Sequence, residues 1–520
     1  MFRWQCDDAY IAFRYVAQSR SGHGLVWNDA PFRPVEGYTS FLWVMILRFV
    51  WGVTGVAPPM AADWLSLVVG LATLVLIAHW AWNLNLGDVT DWVRAVALAL
   101  VLTGVVLNRT YLMFLSSGLE TALFNGLFIL WLYECIRGDQ SSSSGSLARL
   151  SSYAMLAAVA RPEGLLCVLG SVARFSADRF AERNETLSVT SWLRKRAPEL
   201  TPLIAVVVHI LWRRAFYGEW LPNTYFAKAT HPWPEMGRLY IQSFALEYGL
   251  FAWLPIVFIA VAARVRSMRT VESSAAPSVR GAELIAVIVV LLHLAFYVVW
   301  IGGDHFEYRV LSYMIPLLFL IAARLAFAGR GWPRLRLALL ASCVVCSLPI
   351  PIAHHLLTKG LTSNQAFVPV APSLPKILSV WSETFDLHQR ILIQNGNGVR
   401  RHDHALFLAA QFRTTAERPE HRALGEHGRF VISATGVGVP GWVFPKAAII
   451  DLLGLNDRVV ARNPHLRAKR YIAHERQPPP GYVECFRPQA EARNDHFGLV
   501  APRPRPVSDA EIRACEARDW

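Results

Sequence analysis

The sequence predicts an α-helical polytopic membrane protein with a C-terminal mixed α/β soluble domain. Three observations lead there. The 520 residues are 54% hydrophobic and only 17% charged, with a mean hydropathy of +0.32, whereas soluble chains carry about 25% charged residues. Apolar runs recur along the first two thirds, at 38–58, 60–82, 92–117, 120–136, 151–173, 199–216, 249–263, 283–301, 310–328 and 337–353. From His354 onward these long runs stop, and charge, His and Pro rise.

A helix crosses the hydrocarbon core with about 20 apolar residues, so 38–353 is expected to be a transmembrane domain of roughly nine to eleven crossings. The net charge of +13 falls largely in short gaps between the apolar runs. That distribution is topological rather than a sign of nucleic-acid binding. Gaps 174–196, 264–280 and 324–336 carry Arg174, Arg194, Arg196, Arg264, Arg266, Arg269, Arg324, Arg334 and Arg336 among others. All three fall on one side, which the positive-inside rule makes cytoplasmic. Residues 1–37, 217–248, 302–309 and the tail 354–520 then face outward, as expected for a bacterial plasma membrane protein with its site on the extracytoplasmic side.

The run 151–173 has basic residues at both ends and Arg161-Pro162-Glu163-Gly164 in its middle. Proline removes a helix donor and glycine loosens the backbone. A hairpin of two helices with Arg161 and Glu163 at its tip is expected, either lining a site or simply stapled by that ion pair. In the tail, Phe430–Ser433 and Ala447–Ile450 read as short buried strands. Gly436-Val437-Gly438 lacks the third glycine of a dinucleotide loop and is not read as one. Cys135, Cys167, Cys343 and Cys346 lie in or beside apolar runs and read as packing residues. Cys485 and Cys515 lie in the tail, where an oxidising compartment would let them pair.

Candidate chemistry concentrates at the start. Asp7 and Asp8 are adjacent carboxylates, followed by Arg14, His23, Trp27, Asn28, Glu36 and Tyr38 before a membrane run. Aromatic faces, carboxylates and amides together suit a sugar. Neighbouring carboxylates favour a general base; alternatively they bind a divalent cation or cap the helix that begins near Ala9. A second cluster, Gly302-Gly303-Asp304-His305 with Arg309, ends a span on the same side, where a cation would meet a phosphate. Glu120, and Asn223 with Lys228, would face outward as polar wall residues.

The run Asp7–Tyr15, with Gly22-His23-Gly24-Leu25-Val26-Trp27-Asn28 and Glu36-Gly37-Tyr38, resembles the N-terminal loop of GT-C fold glycosyltransferases. The nearest likeness is to terminal β-(1→2)-arabinofuranosyltransferases and their relatives. Ser117-Gly118-Leu119-Glu120, Arg161-Pro162-Glu163-Gly164, Leu221-Pro222-Asn223-Thr224, Gly302-Gly303-Asp304, Arg309 and Asp451–Asp457 extend the resemblance over almost the whole chain. It implies a polyprenyl-phosphate-linked sugar donor, possibly of arabinofuranose, and a cell-envelope glycan or glycolipid acceptor. Asp7 or Asp8 would be the base, and Arg309, Arg161, Lys228, Asp304 and His305 would lie on the donor phosphate side. No cofactor is implied beyond an optional divalent cation. Such relatives carry a membrane helix ahead of the Asp pair; six residues precede it here, so the resemblance implies a helix missing from the start. The competing classes are a polysaccharide or lipid transporter, and a polymerase or ligase acting on diphosphate-linked glycans.

Overall fold

The computed structural model describes residues 4–137, 144–181, 189–270, 281–328, 332–363, 365–415, 430–493, 496–502 and 504–520. Two helices open the chain, α1 (Asp7–Arg20) and α2 (Phe41–Thr54). The bundle follows with α3 (Pro58–Trp82), α4 (Asp91–Val106), the short α5 (Arg109–Met113), α6 (Thr121–Arg137), α7 (Ser144–Ala160), α8 (Leu165–Ala181) and α9 (Val189–Tyr217). The short α10 (Asn223–Lys228) and α11 (Pro234–Glu247) lead into α12 (Leu254–Thr270). Next come α13 (Gly281–Ala295), prolonged by a π-helical turn to Ile301, then α14 (Met314–Ala326), α15 (Pro333–Cys346) and α16 (Pro349–Thr358).

Every apolar run of the sequence is helical, but many are interrupted. Among the described residues five helices are long and apolar enough to cross a membrane, or up to six counting α11 with α12, which meet at a 70° bend. The interruptions have local causes. Asn108 caps α5 by accepting from the Tyr111 amide, which breaks 92–117 in two. Pro349 starts α16 where its missing N–H costs nothing. The expected hairpin is present as α7 and α8, with Pro162–Gly164 at the tip. Gly164 packs so closely on α7 that a Cβ would stand 2.1 Å from the Ala157 carbonyl carbon.

The tail begins with two helices, α17 (Ser379–Gln394) and α18 (Arg401–Thr415), and continues into a four-stranded sheet. β1 (Val431–Ala434) lies between β2 (Ala448–Asp451) and β3 (Ala490–Arg493), parallel to both. β4 (His496–Leu499) adds antiparallel to β3. The helix α19 (Gly438–Val443) joins β1 to β2. The parallel pair β1 and β2 is buried on both faces, as parallel strands require, which explains their unbroken apolar sequence. The Cys485–Cys515 disulfide closes the domain.

The sequence divides naturally into 1–37 and 354–520, yet these pieces pack as one. A single core joins Tyr10, Phe13 and Trp43 to Ile432, Val437, Phe444 and Ile449. A second tie is ionic and lies between the tail and the bundle. Arg400 reaches Glu247 at 2.8 Å and Glu307 at 2.7 Å, and Arg109 reaches Glu307 at 2.9 Å, all essentially excluded from solvent. Removing one member of such a cluster strands the rest as uncompensated buried charge. Arg400→Met is therefore expected to destabilise the protein by about 3–5 kcal/mol, seen as a lowered thermal midpoint in detergent. An unchanged midpoint would show that the cluster is not what fastens the tail.

Candidate functional site

A cavity of about 490 Å³ lies where α1, the hairpin tip, α10, the end of α13 and the loop before α14 meet. Residues singled out in the sequence line it, among them Asp8, Tyr38, Glu120, Arg161, Glu163, Lys228, Asp304, His305 and Arg309. The helical period decides which face of α1 contributes. Asp8, Ile11 and Ala12, at i, i+3 and i+4, turn into the cavity. Asp7 and Arg14, seven residues apart on another face, turn toward the tail.

The two aspartates are thus separated chemically. Both oxygens of Asp7 are occupied by backbone N–H donors at the start of α19, Val439 at 2.7 Å and Gly438 at 3.1 Å. Burial pushes its carboxyl up to about 7 against these two hydrogen bonds, with Asp8 adding to the rise. Only glycine fits at 438, where a Cβ would stand 1.9 Å from the Asp7 carbonyl oxygen. This is the role of the Gly436-Val437-Gly438 stretch. Asp8 instead opens on the cavity, 3.9 Å from Lys228 Nζ. Burial acts to raise its carboxyl, but the Lys228 and Arg309 cations outweigh this and hold it below the usual carboxylate range.

The other charges come in pairs. Arg309 donates to Asp304 at 2.9 Å and lies over the Phe306 ring. Arg161 at the hairpin tip is held between Glu120 and Glu163, with Glu163 at 2.6 Å. The pair expected as a staple is present, but it also forms one wall. Tyr297, in the π-helical turn, reaches both Arg161 and Glu163. His305 donates Nδ1–H to the Gly396 carbonyl and His474 donates to that of Ile472. Their rings lie 4.7 Å apart. Burial drives both imidazoles down, to about 3, so they are neutral at pH 7.

The remaining sequence candidates lie elsewhere, and each does structural work. Arg14 spends its donors on the Trp27, Gly441, Phe444 and Ala447 carbonyls. Trp27 and Asn28 bond the Ile449 backbone. His23 meets Gln18 on the exposed side. Glu36 pairs with Arg213 at 2.6 Å, and Asn223 donates to the Gly454 and Leu455 carbonyls. None of these six lines the cavity: Arg14, Trp27, Asn28 and Asn223 fasten the N-terminal segment and α10 to the tail, while Glu36 ties the N-terminal segment to α9. The N-cap alternative for the Asp pair also falls, because Cys6 is the N-cap and α1 starts at Asp7. Among the described residues no group of three or more His, Cys, Asp or Glu side chains is disposed to hold a metal ion.

Residues missed in the sequence include His293 and Tyr297, which line the cavity from within an apolar run. Their i, i+4 spacing in such a run was the available signal. His474 and the Gly438–Val439 amides carried no local signal.

No protein-family model matches the sequence. A terminal β-(1→2)-arabinofuranosyltransferase of Mycobacterium tuberculosis is 28% identical over 352 residues, which are 62% of this chain and 52% of that protein. The chain therefore spans about half the length of this curated relative. The crystal structure of apo ArnT from Cupriavidus metallidurans matches 94% of this chain and 89% of its own, with a TM-score of 0.52 and 13% identity. The fold is that of ArnT. A structure of the same protein bound to undecaprenyl phosphate superimposes with a TM-score of 0.46. The GT-C-like class expected for the helical bundle with its small sheet is the class observed.

Asp7 yields a pH prediction. A carboxyl at about 7 in the folded chain, against about 3.9 unfolded, keeps its proton only when folded between those values. Its contribution to stability is then full below the unfolded value and is lost as pH rises through 7. Asp7→Asn should remove this slope, so the variant gains on the wild type between pH 5 and pH 8. Thermal midpoints of both proteins at the two pH values measure it; parallel behaviour would refute the assignment.

Proposed function

We propose that the protein is a membrane glycosyltransferase that moves a sugar from a polyprenyl-phosphate donor to a cell-envelope glycan or glycolipid. One observation carries this reading: the cavity is charged at one end and oily at the other. Asp8, Lys228, Asp304 and Arg309 line one part, while Leu165, Leu292 and Phe296 line another and are also exposed on the bundle surface. A lipid chain can lie along the apolar lip with its phosphate among the cations. The sequence relative named for arabinofuranosyl transfer supports arabinofuranose as the sugar.

The cavity lies at the ends of α8, α13 and the segment from Arg309 that are opposite gaps 174–196, 264–280 and 324–336. By the positive-inside rule the reaction runs on the extracytoplasmic face of a bacterial plasma membrane. A transporter would need a polar path to the basic end, but Phe128, Trp131, Ala157 and Val289 fill that part of the bundle.

In the proposed reaction Asp8 accepts the proton of an acceptor hydroxyl while that oxygen attacks the anomeric carbon. The bond from that carbon to the phosphate oxygen breaks, and the polyprenyl phosphate departs with the electron pair. The configuration inverts, and the proton stays on Asp8 until released to solvent. Phosphate is already a good leaving group, so no general acid is required, unlike glycoside hydrolysis. Stabilising its growing charge is the larger task. Lys228 and Arg309 supply cations, with Arg161 behind them; His305, uncharged, donates no such help. Tyr38 and Glu120 line the wall left for the acceptor sugar. Because Asp7 already binds two amides, it positions α1 and does not take the proton.

Asp8→Asn should lower transfer by about 10²–10⁴-fold, the usual worth of a general base, without abolishing binding of polyprenyl phosphate. Because the Asp8 carboxyl lies below the usual range, wild-type transfer should persist into acid until that group is protonated. Both are read with a labelled polyprenyl-phosphate pentose and a glycan acceptor. Wild-type rates in the Asp8→Asn protein would remove Asp8 from the mechanism.

A further inference from the structure

We propose that the segment Leu374–Val380 is a membrane anchor for the tail, dipping Ile377 and Val380 into the lipid leaflet on the cavity side. Ile377 is 91% exposed and Val380 80%, the extremes among large apolar side chains of the described tail. Scattered surface hydrophobes need no explanation. These two differ in where they lie.

Directly behind them, Trp381 packs edge-on against Phe251, with ring centroids 5.1 Å apart, and donates its indole N–H to the Leu246 carbonyl. Leu374 and Phe385 pack with Ile350 of α16. The segment therefore rests on the bend where α11 turns into α12. Depth follows from the neighbouring helix. At that bend Gly249 touches the Cys346 backbone, and Cys346 lies well short of the end of the apolar span Pro333–Thr358. The tail thus reaches down beside the apolar part of that span rather than resting above it.

The surface it joins is already lipid-facing. Phe251, in the turn before α12, and Leu254 and Phe258 on α12 are exposed, on a bent helix pair long and apolar enough to cross a membrane. Ile377 and Val380 continue that surface. Lys376 precedes them and is exposed, and Trp381 follows. An apolar tip flanked by a basic residue and a tryptophan is the composition of interfacial segments. A lipid leaflet is consequently the occupant this surface fits. The inference does not depend on the reaction proposed above.

The experiment uses the full chain in phosphatidylcholine nanodiscs. Ile377→Cys carries an environment-sensitive fluorophore, and the wild type treated identically supplies the background. At so exposed a position the substitution leaves the core untouched. The expected result is blue-shifted emission that loses most of its intensity to doxyl-labelled phosphatidylcholine and little to aqueous iodide. Quenching by iodide with no response to doxyl lipid would place the segment in water and overturn the anchor. Protection from both quenchers, with energy transfer between labelled copies, would assign the surface to a second copy and overturn it equally.

Discussion

Arg14 has exchanged water for backbone carbonyls, and the rest of the site depends on that exchange. Its guanidinium, 1% exposed, bridges the loop after α1 to the α19–β2 turn. An arginine removed from solvent is tolerated only when its donors are satisfied, so the two surfaces can meet in one register alone. That register brings the Asp7 carboxylate onto the Gly438 and Val439 amides. Once Asp7 is fixed, Asp8 has one direction left, into the cavity.

The same tail fixes the other charged groups. Arg462 lies over Phe226 and Arg476 bonds its carbonyl, steadying the helix that carries Lys228. Arg400 grips Glu307, two residues before Arg309. Three charged side chains from distant parts of the sequence are thus held by one domain that itself lines the cavity with the apolar residues Leu455, Ile472 and Ala473. Preorganisation of this kind places charge before any substrate arrives. It also explains why Arg161 and Arg309 are tied to carboxylates: an unpaired guanidinium at this depth would be costly, and a phosphate could share it with the carboxylate already there.

Much of the fold could be read in the residues, because it rests on local signals. Apolar runs marked the helices, Pro162 and Gly164 marked the hairpin tip, and the unbroken Phe430–Ser433 and Ala447–Ile450 marked buried strands. The cavity residues Asp8, Lys228, Asp304 and Arg309 were legible because charge beside an apolar run demands a reason. Trp27, Asn28, Glu36 and Asn223 stood out for the same cause but lie outside the cavity lining. Their polarity did demand partners, and the partners present are tail carbonyls and Arg213. Sequence shows that a polar group must be satisfied and not by what. The difference between Asp7 and Asp8 was half visible, since one step along a helix turns the side chain by about 100°. Which face would meet α19 depends on contacts across more than four hundred residues.

That separation has a consequence for biosynthesis. The amides that hold Asp7 belong to residues 438 and 439, and the turn that holds Arg14 ends at Ala447. Until those residues are made, α1 can pack on α2 and α3, but Asp7 and Arg14 lack the groups that fix them. Contacts within the bundle can form before these, and residues 438–447 complete the setting of the cavity. The order in which these contacts can form is thereby built into their sequence separation.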